Sequence, residues 1–540
     1  MMWKKAKIDQ LLIFYVLALG LIGLSWKYGL VELTESDITQ QNEKFLAENN
    51  LQIVGNGGDI QKVEAYNPAM KIHVSIDGGE HFVPFGDKID LSDFENSTNI
   101  YYPASIRWKP AFNEAKKLKS LVVILENQTT KTRSNRKFLT SLEGIDTDLA
   151  IVNLSIPNNE LFDPVNGLLV FGKASWQNQD FQESWWDRDA NFTQRGAEWE
   201  RECQFQYFVD NELVLDQNVG LRISGNATRG FPQKSFKINA RTKYGKDKLK
   251  YKFFGKGGLK KYESLVIRMS GNDNVKTMFA DCLMQDLAAE SNVLIQKYQA
   301  VRLYINGNYW GLHNLRERID DYFIAKTSGA KKSEITILET GSAYLKNGSN
   351  KDRDEFIKLI DELKSVESVD GELYDKVKEE ISIKSFIDYI FFETYYANND
   401  WPSNNSICYK AKGEKWKWML NDLDYSLAYP GEQNVNLNMF ERAEKLEDVH
   451  SILFCKLLTN KKFKEKFKST CDNNIQQYFN EEKVLEKYNV FMNTYRPEIQ
   501  LQLDRWRNIS SVEVWEENCD KNLKFLLNRK DVYQAQLDQL

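Results

Sequence analysis

The hydrophobic period of the chain changes once, near residue 350, and this change constrains the fold more than any other feature. Before it, apolar residues come in short strand-like runs such as DLAIVNLSI from Asp148, ECQFQYFV, LVLDQNVGLRI and QKSFKIN. These predict a sizeable antiparallel sheet. In VRLYINGNYWGLHNL, Asn306-Gly307 stands between alternating residues, the strongest short-range signal of a hairpin. Beyond 350, Phe356, Leu359, Ile360 and Leu363 recur at helical spacing, as do Val449, Ile452, Leu453 and Leu457. The C-terminal part is therefore read as mainly helical, with one β hairpin at about 406–422. The fold class is α+β, a β-rich half followed by a helical half in two lobes.

Three further boundaries follow from composition. Residues 1–28 carry Lys4, Lys5 and Lys7 before an uncharged apolar run from Leu11 to Trp26, which reads as an export signal or an uncleaved membrane anchor. The lysines place the N-terminus in the cytoplasm and the rest of the chain outside it. Residues 29–65 are polar and read as a linker, and 66–135 as a small β domain with turns at DGGE and FGDK. The main domain is 136–540, β-rich over 136–350 and mainly helical over 351–540.

Several function classes are excluded early. Lys and Arg number 72 against 77 Asp and Glu, a net charge of −5, which is not that of a general nucleic-acid binder. The six cysteines include no C-x-x-C pair, and the four histidines show no H-x-x-x-H spacing, so zinc hydrolase chemistry is not indicated. No serine lies in G-x-S-x-G.

The chemistry concentrates in FIDYIFFETYYANNDWPSNNSICYKAKGEKWKWMLNDLDYSLAYPG. An aromatic helix delivers Asp400 to a loop, Asn405 follows five positions later, and a hairpin ends at Asp422 and Asp424. This order is that of a phosphotransfer centre, in which one Asp handles the acceptor hydroxyl while an Asn and a second Asp hold Mg²⁺, a hard cation that takes oxygen ligands. On spacing alone, the same residues also describe a turn with solvated acids. A second stretch, 229–261, holds twelve Lys and Arg against the single acid Asp247. Within it, Lys234 stands beside alternating Phe236 and Ile238, where a charge needs a partner; a nucleotide phosphate or Glu317 would serve. Arg229 belongs to SGNATRG, a glycine-containing segment able to approach phosphates, though not a Walker A loop. Arg268 and Asp273 in VIRMSGNDN read equally as a polar strand end or as part of a site.

These blocks, GLRISGNATRGFPQKSFKI, VIRMSGND, VRLYINGNYWGLHNLRERID, NNDWPSNNSICYK and NDLDYSLAYPG, together with a helical tail containing PEIQLQLDRW, resemble the CotH kinase family of spore-coat-type atypical protein kinases over roughly 140–540. The resemblance implies a kinase-like core that transfers phosphate from ATP to serine residues of protein partners, with Mg²⁺ or Mn²⁺. It makes Asp400 the catalytic aspartate, Asn405 and Asp422 metal ligands, Lys234 the lysine of the K-S-aromatic strand, and Glu317 the glutamate after the N-G-x-Y-W-G hairpin. Asp424 is a further metal candidate and Arg229 a nucleotide-binding candidate. Asn421 departs from the aromatic residue that many relatives carry before the metal aspartate, which bears on local packing. The expected function is an extracytoplasmic Ser/Thr protein kinase of atypical type, partnered by nucleotide, a protein substrate and, through its N-terminal segment, a membrane. The alternatives are a non-catalytic surface-anchored binding or assembly protein on the same fold, and a hydrolase using paired carboxylates such as Asp422 and Asp424.

Overall fold

Alternation in the first half resolves into two small sheets and a barrel. The computed structural model describes residues 51–540 apart from 57–58, 66–69, 87, 91–116, 132, 135, 174, 176–188 and 430–433. The apolar run 11–26 lies outside the described residues. Among those described, no helix is long and apolar enough to cross a membrane.

The small unit contains β1 (Leu51–Asn56), β2 (Asp59–Ala65), β3 (Met70–Ser75), β4 (Val83–Gly86), β5 (Lys88–Asp90), β6 (Lys119–Asn127) and β7 (Lys137–Ser141). They form one sheet in the order β1-β2-β5 and another in the order β4-β3-β6-β7. Two boundaries thus differ from expectation. The stretch read as a linker ends in a hairpin with Asn56 opposite Asp59, and the small unit runs past residue 135 into β7. Polar residues at alternate positions made β1 and β2 look like linker composition, whereas the Gly57-Gly58 pair between them is a hairpin signal.

The strands that follow are β8 (Ala150–Ser155), β9 (Arg201–Val209), β10 (Glu212–Ser224), β11 (Ser235–Asn239), β12 (Ser264–Arg268), β13 (Tyr298–Ile305) and β14 (Asn308–Glu317). They do not form an open sheet. The order β10-β11-β12-β14-β13-β8-β9 closes into a barrel, because β8 lies parallel to β13 and antiparallel to β9 and so joins the two edges. Closure leaves no strand edge unpaired. Every second residue fills the interior: Phe205 and Tyr207 on β9, Leu221 and Ile223 on β10, Phe236 and Ile238 on β11, Leu265 and Ile267 on β12. The complementary positions Arg268, Asn314 and Arg316 therefore face outward, toward the helical half. The β13–β14 turn at Asn306-Gly307 has φ of 49° and 75°, the left-handed pair that an Asn-Gly hairpin requires.

The helical half has its own core. Its helices are α1 (Ala280–Leu287), which precedes β13, then α2 (Asp321–Ser328), α3 (Asn350–Ser365), α4 (Gly371–Glu380), α5 (Ile383–Tyr395), α6 (Met439–Glu444), α7 (Val449–Leu458), α8 (Lys461–Tyr478), α9 (Glu481–Trp506) and α10 (Val512–Gln539). Helix α5 is rich in apolar and aromatic residues and almost wholly buried, as a central helix must be. The expected hairpin, β17 (Ile407–Ala411) and β18 (Lys417–Met419), extends β15 (Ile335–Glu339) and β16 (Tyr344–Asn347) into a sheet ordered β16-β15-β17-β18. Helix α9 fastens the halves together: Glu498 accepts from Arg302 at 2.6 Å, Gln502 from the Leu312 N–H at 2.8 Å, and Trp506 Nε1 donates to the Trp310 carbonyl at 2.8 Å.

Candidate functional site

Helix α5 ends at Tyr395, and the chain turns through Ala397 at φ 49° to present Asp400 on a loop. That loop is held from several sides. Asn398, buried, donates to Glu393 at 2.8 Å and accepts the Asp400 N–H at 3.1 Å. Arg442 donates to the carbonyls of Asn399 and Trp401 at 2.7 and 3.1 Å. Asn405, at φ 57°, donates its amide to Asp400 Oδ2 at 2.8 Å, which leaves its amide oxygen as the metal-capable atom. Burial, with the Asp422 charge adding to it, raises the Asp400 carboxyl above its ordinary value.

Strand β18 leads into the second part of the site. Asp422 also adopts a left-handed backbone, φ 57°, a conformation that costs a non-glycine residue roughly 1–2 kcal/mol. The Arg268 Nη2, at the end of β12, donates both to Asp422 Oδ1 and, at 3.0 Å, to Asp424 Oδ2. The Asp424 carboxylate also accepts the Asn272 N–H at 2.7 Å. This close approach requires glycine at 271: a Cβ there would lie 1.8 Å from Asp424 Oδ2. Burial and the neighbouring Asp422 push the Asp424 carboxyl well above the usual range, against the pull of Arg268.

Beneath this pair lies a buried ion pair that the sequence did not disclose. Asp281 on α1 bonds Arg316 on β14 and accepts the Leu423 N–H at 3.0 Å and the Gln285 amide at 2.9 Å. Burial opposes its charge, yet Arg316 and Arg268 hold the carboxyl well below the carboxylate range. Glu393 behaves in the opposite way: burial pushes it up to about 8, against its bond from Asn398. No motif spacing links Asp281, Arg316 and Glu393, because their proximity arises only from docking the barrel on the helical half. Asp273, read beside Arg268, caps α1 instead, accepting the N–H groups of Thr277 and Ala280 at 3.0 and 2.9 Å.

The residues present fit a divalent cation. Two carboxylates converge on a single nitrogen, Arg268 Nη2, so their oxygens already share a cation-sized point, and the donors are oxygens of the kind Mg²⁺ and Mn²⁺ take. Asp400 does not complete a three-carboxylate cluster with them. Among the described residues, the one set of three acid or histidine side chains with ligand atoms all within 4.8 Å is Asp77, Glu80 and His81 on the β3–β4 turn. Asp77 there accepts the N–H groups of Glu80 and His81, and Glu80 that of Asn159, as turn contacts.

The three expected nucleotide residues make other contacts. Lys234 is fully buried, its amine donating to the Phe231 carbonyl at 2.6 Å and lying 4.1 Å from the centre of the Phe192 ring. Glu317 accepts from Tyr262 at 3.3 Å and from the Lys297 N–H at 3.1 Å. The expected Lys234–Glu317 pair is not made. Phe236 pairs with Ile267 and Leu265 with Glu317, so the two side chains sit about four residues apart along β12, on the order of 13 Å. Arg229 spends its guanidinium on the carbonyls of Ile223, Gly225, Phe192 and Gln194 at 2.8–3.1 Å, bracing the SGNATRG loop rather than presenting a charge to a phosphate.

A family model described as CotH kinase protein matches residues 221–533, a span that contains every residue of this site. No curated protein matches the chain.

Proposed function

Since the chain belongs to the CotH kinase family, we propose that it is an atypical protein kinase that moves the terminal phosphoryl of ATP to a Ser or Thr hydroxyl of a protein partner. Support comes from one observation above the rest: Asp400, held by Asn405 and Asn398, lies close enough to Asp422 to feel its charge, and Asp422 and Asp424 converge on one cation-sized point.

In this reading Asp400 accepts or orients the acceptor hydroxyl. Its raised affinity for a proton makes it a better base than an exposed carboxylate, at the cost of needing a higher pH to ionise. Asp422 and Asp424, with the Asn405 amide oxygen, would hold Mg²⁺ or Mn²⁺, which supplies charge neutralisation for the triphosphate when bound. The αL backbone at Asn405 and Asp422 is strain set at these two ligands, and the buried Asp281–Arg316 pair fixes the backbone of Leu423 between the two aspartates. Catalysis of this kind is mostly positioning and electrostatics, which suits a site braced from both halves of the molecule. The apolar run 11–26 supports action outside the cytoplasm, on a membrane-held protein.

The test is phosphate transfer by the full-length protein with Mg²⁺ or Mn²⁺ and labelled ATP. Asp400→Ala and Asp422→Ala are each expected to lower transfer by at least 10²-fold while remaining folded by circular dichroism. Wild-type protein that neither binds nor turns over nucleotide with either metal would remove the kinase reading in favour of a binding protein on this fold.

A further inference from the structure

Arg268 is placed unusually for a half-buried arginine. It ends β12 on the outer face of the barrel, with one nitrogen shared between Asp422 and Asp424. It makes no fork-to-fork pair with either carboxylate, the geometry in which arginine binds acids most strongly. Its Nε is buried without a hydrogen-bond partner. Arg229, by contrast, is spread over four backbone carbonyls. Arg268 is thus held by the charge of two acids more than by directed bonds, and those acids are the ones that converge where a divalent cation fits.

We propose that Arg268 is the resident counter-ion of this site, bridging Asp422 and Asp424 when no metal is bound and giving them up to a divalent cation. The inference rests on the kinase reading only in taking Asp422 and Asp424 as metal-facing.

Charge balance gives the reason. Two acids that converge on one point ionise together only with cations nearby. Arg268 brings a single positive charge to the two of them, and a divalent cation brings two, with oxygen-binding geometry that a guanidinium lacks. Once the metal neutralises the pair, the guanidinium is released. Asp281, whose charge also acts on Arg268, is the acid left to it. The absent side chain of Gly271 leaves room for the exchange, since a Cβ at that position would lie 2.5 Å from Arg268 Nη2.

A structural salt bridge and a displaceable counter-ion predict opposite signs for one measurement. Full-length wild type, Arg268→Gln, Arg268→Lys and Asp422→Asn are titrated with Mn²⁺ alone by calorimetry, and melted with and without Mn²⁺. Without metal, Arg268→Gln is expected to melt below wild type, because the two acids lose their cation. With Mn²⁺ it is expected to bind about tenfold more tightly, with a larger metal-induced rise in Tm, since no resident charge competes. Arg268→Lys, a compact point charge that bridges two acids less well, is expected to bind a few-fold more tightly than wild type. Asp422→Asn is expected to lose binding. Equal or weaker Mn²⁺ affinity in Arg268→Gln overturns the proposal, and if that variant does not fold, unchanged affinity in Arg268→Lys does so. Wild type that binds no Mn²⁺, or binds it as well as Asp422→Asn does, overturns the metal reading itself and the proposal with it.

Discussion

A carboxyl that burial holds protonated leaves a mark on the pH dependence of folding. Glu393 has a folded pKa of about 8 against an ordinary 4.5. Below the lower value both states carry the proton. Between the two, the unfolded chain releases a proton that the folded chain retains, so unfolding is increasingly favoured as pH rises, and the loss is complete above about 8. Glu393→Gln keeps an oxygen for the Asn398 amide and stays neutral. It is expected to flatten the fall in stability between about pH 5 and 8 by on the order of 2–4 kcal/mol, read from urea unfolding at both pH values. Parallel curves for the two proteins would place the shift elsewhere. At this scale the proximity of Asp400 to Asn405 and of Asp422 to Asp424 was legible because each pair lies on one short stretch, where sequence neighbours remain neighbours in space. The Lys234–Glu317 pairing came from kinase analogy, whereas the strand register sets the two about four positions apart along β12, a separation that spacing in the sequence does not reveal. Asp281 and Arg316 were invisible for the related reason that they meet across an interface between elements, and Glu393 because its burial comes from the packing around it rather than from its neighbours in sequence.

Among the elements, the SGNATRG loop is the one whose role changed most. A basic residue in a glycine-containing loop suggests phosphate, but Arg229 lies under the loop, 7% exposed, and donates to four carbonyls within it and its neighbour. Its part is to hold the β10–β11 connection in shape. Arg229→Lys cannot reach all four acceptors and is expected to cost about 2–4 kcal/mol of stability. Mn²⁺ affinity is expected to stay within about twofold of wild type; a selective loss of nucleotide binding with stability intact would return Arg229 to the phosphate site. The Asn306-Gly307 hairpin was readable from the sequence because a two-residue turn is specified locally. Closure of the strands into a barrel was not readable, since it depends on β8 meeting β13 almost 150 residues later in the chain.

Across the whole molecule, two hydrophobic cores are coupled through α9. Glu498 is 3% exposed and takes both Arg302 and Thr147, so Glu498→Ala leaves a half-buried arginine without its acid. A cost of about 3–5 kcal/mol is expected. The melt should also separate: tryptophan emission, which includes Trp310 and Trp506 at the joint, is expected to change before helical ellipticity, whereas in wild type the two are expected to coincide. Coincident transitions in the variant would mean that the remaining contacts of α9 suffice. Arg268 carries a consequence at this same scale. Small zinc proteins are unfolded until their ion arrives, so their assembly waits on supply. In the counter-ion reading proposed above, the chain's own arginine already partners the acids of the site, so maturation would separate into two independent events. The polypeptide would reach its final shape first, in whatever ionic surroundings it meets, and charging with metal would follow, on a schedule set by the medium rather than by folding.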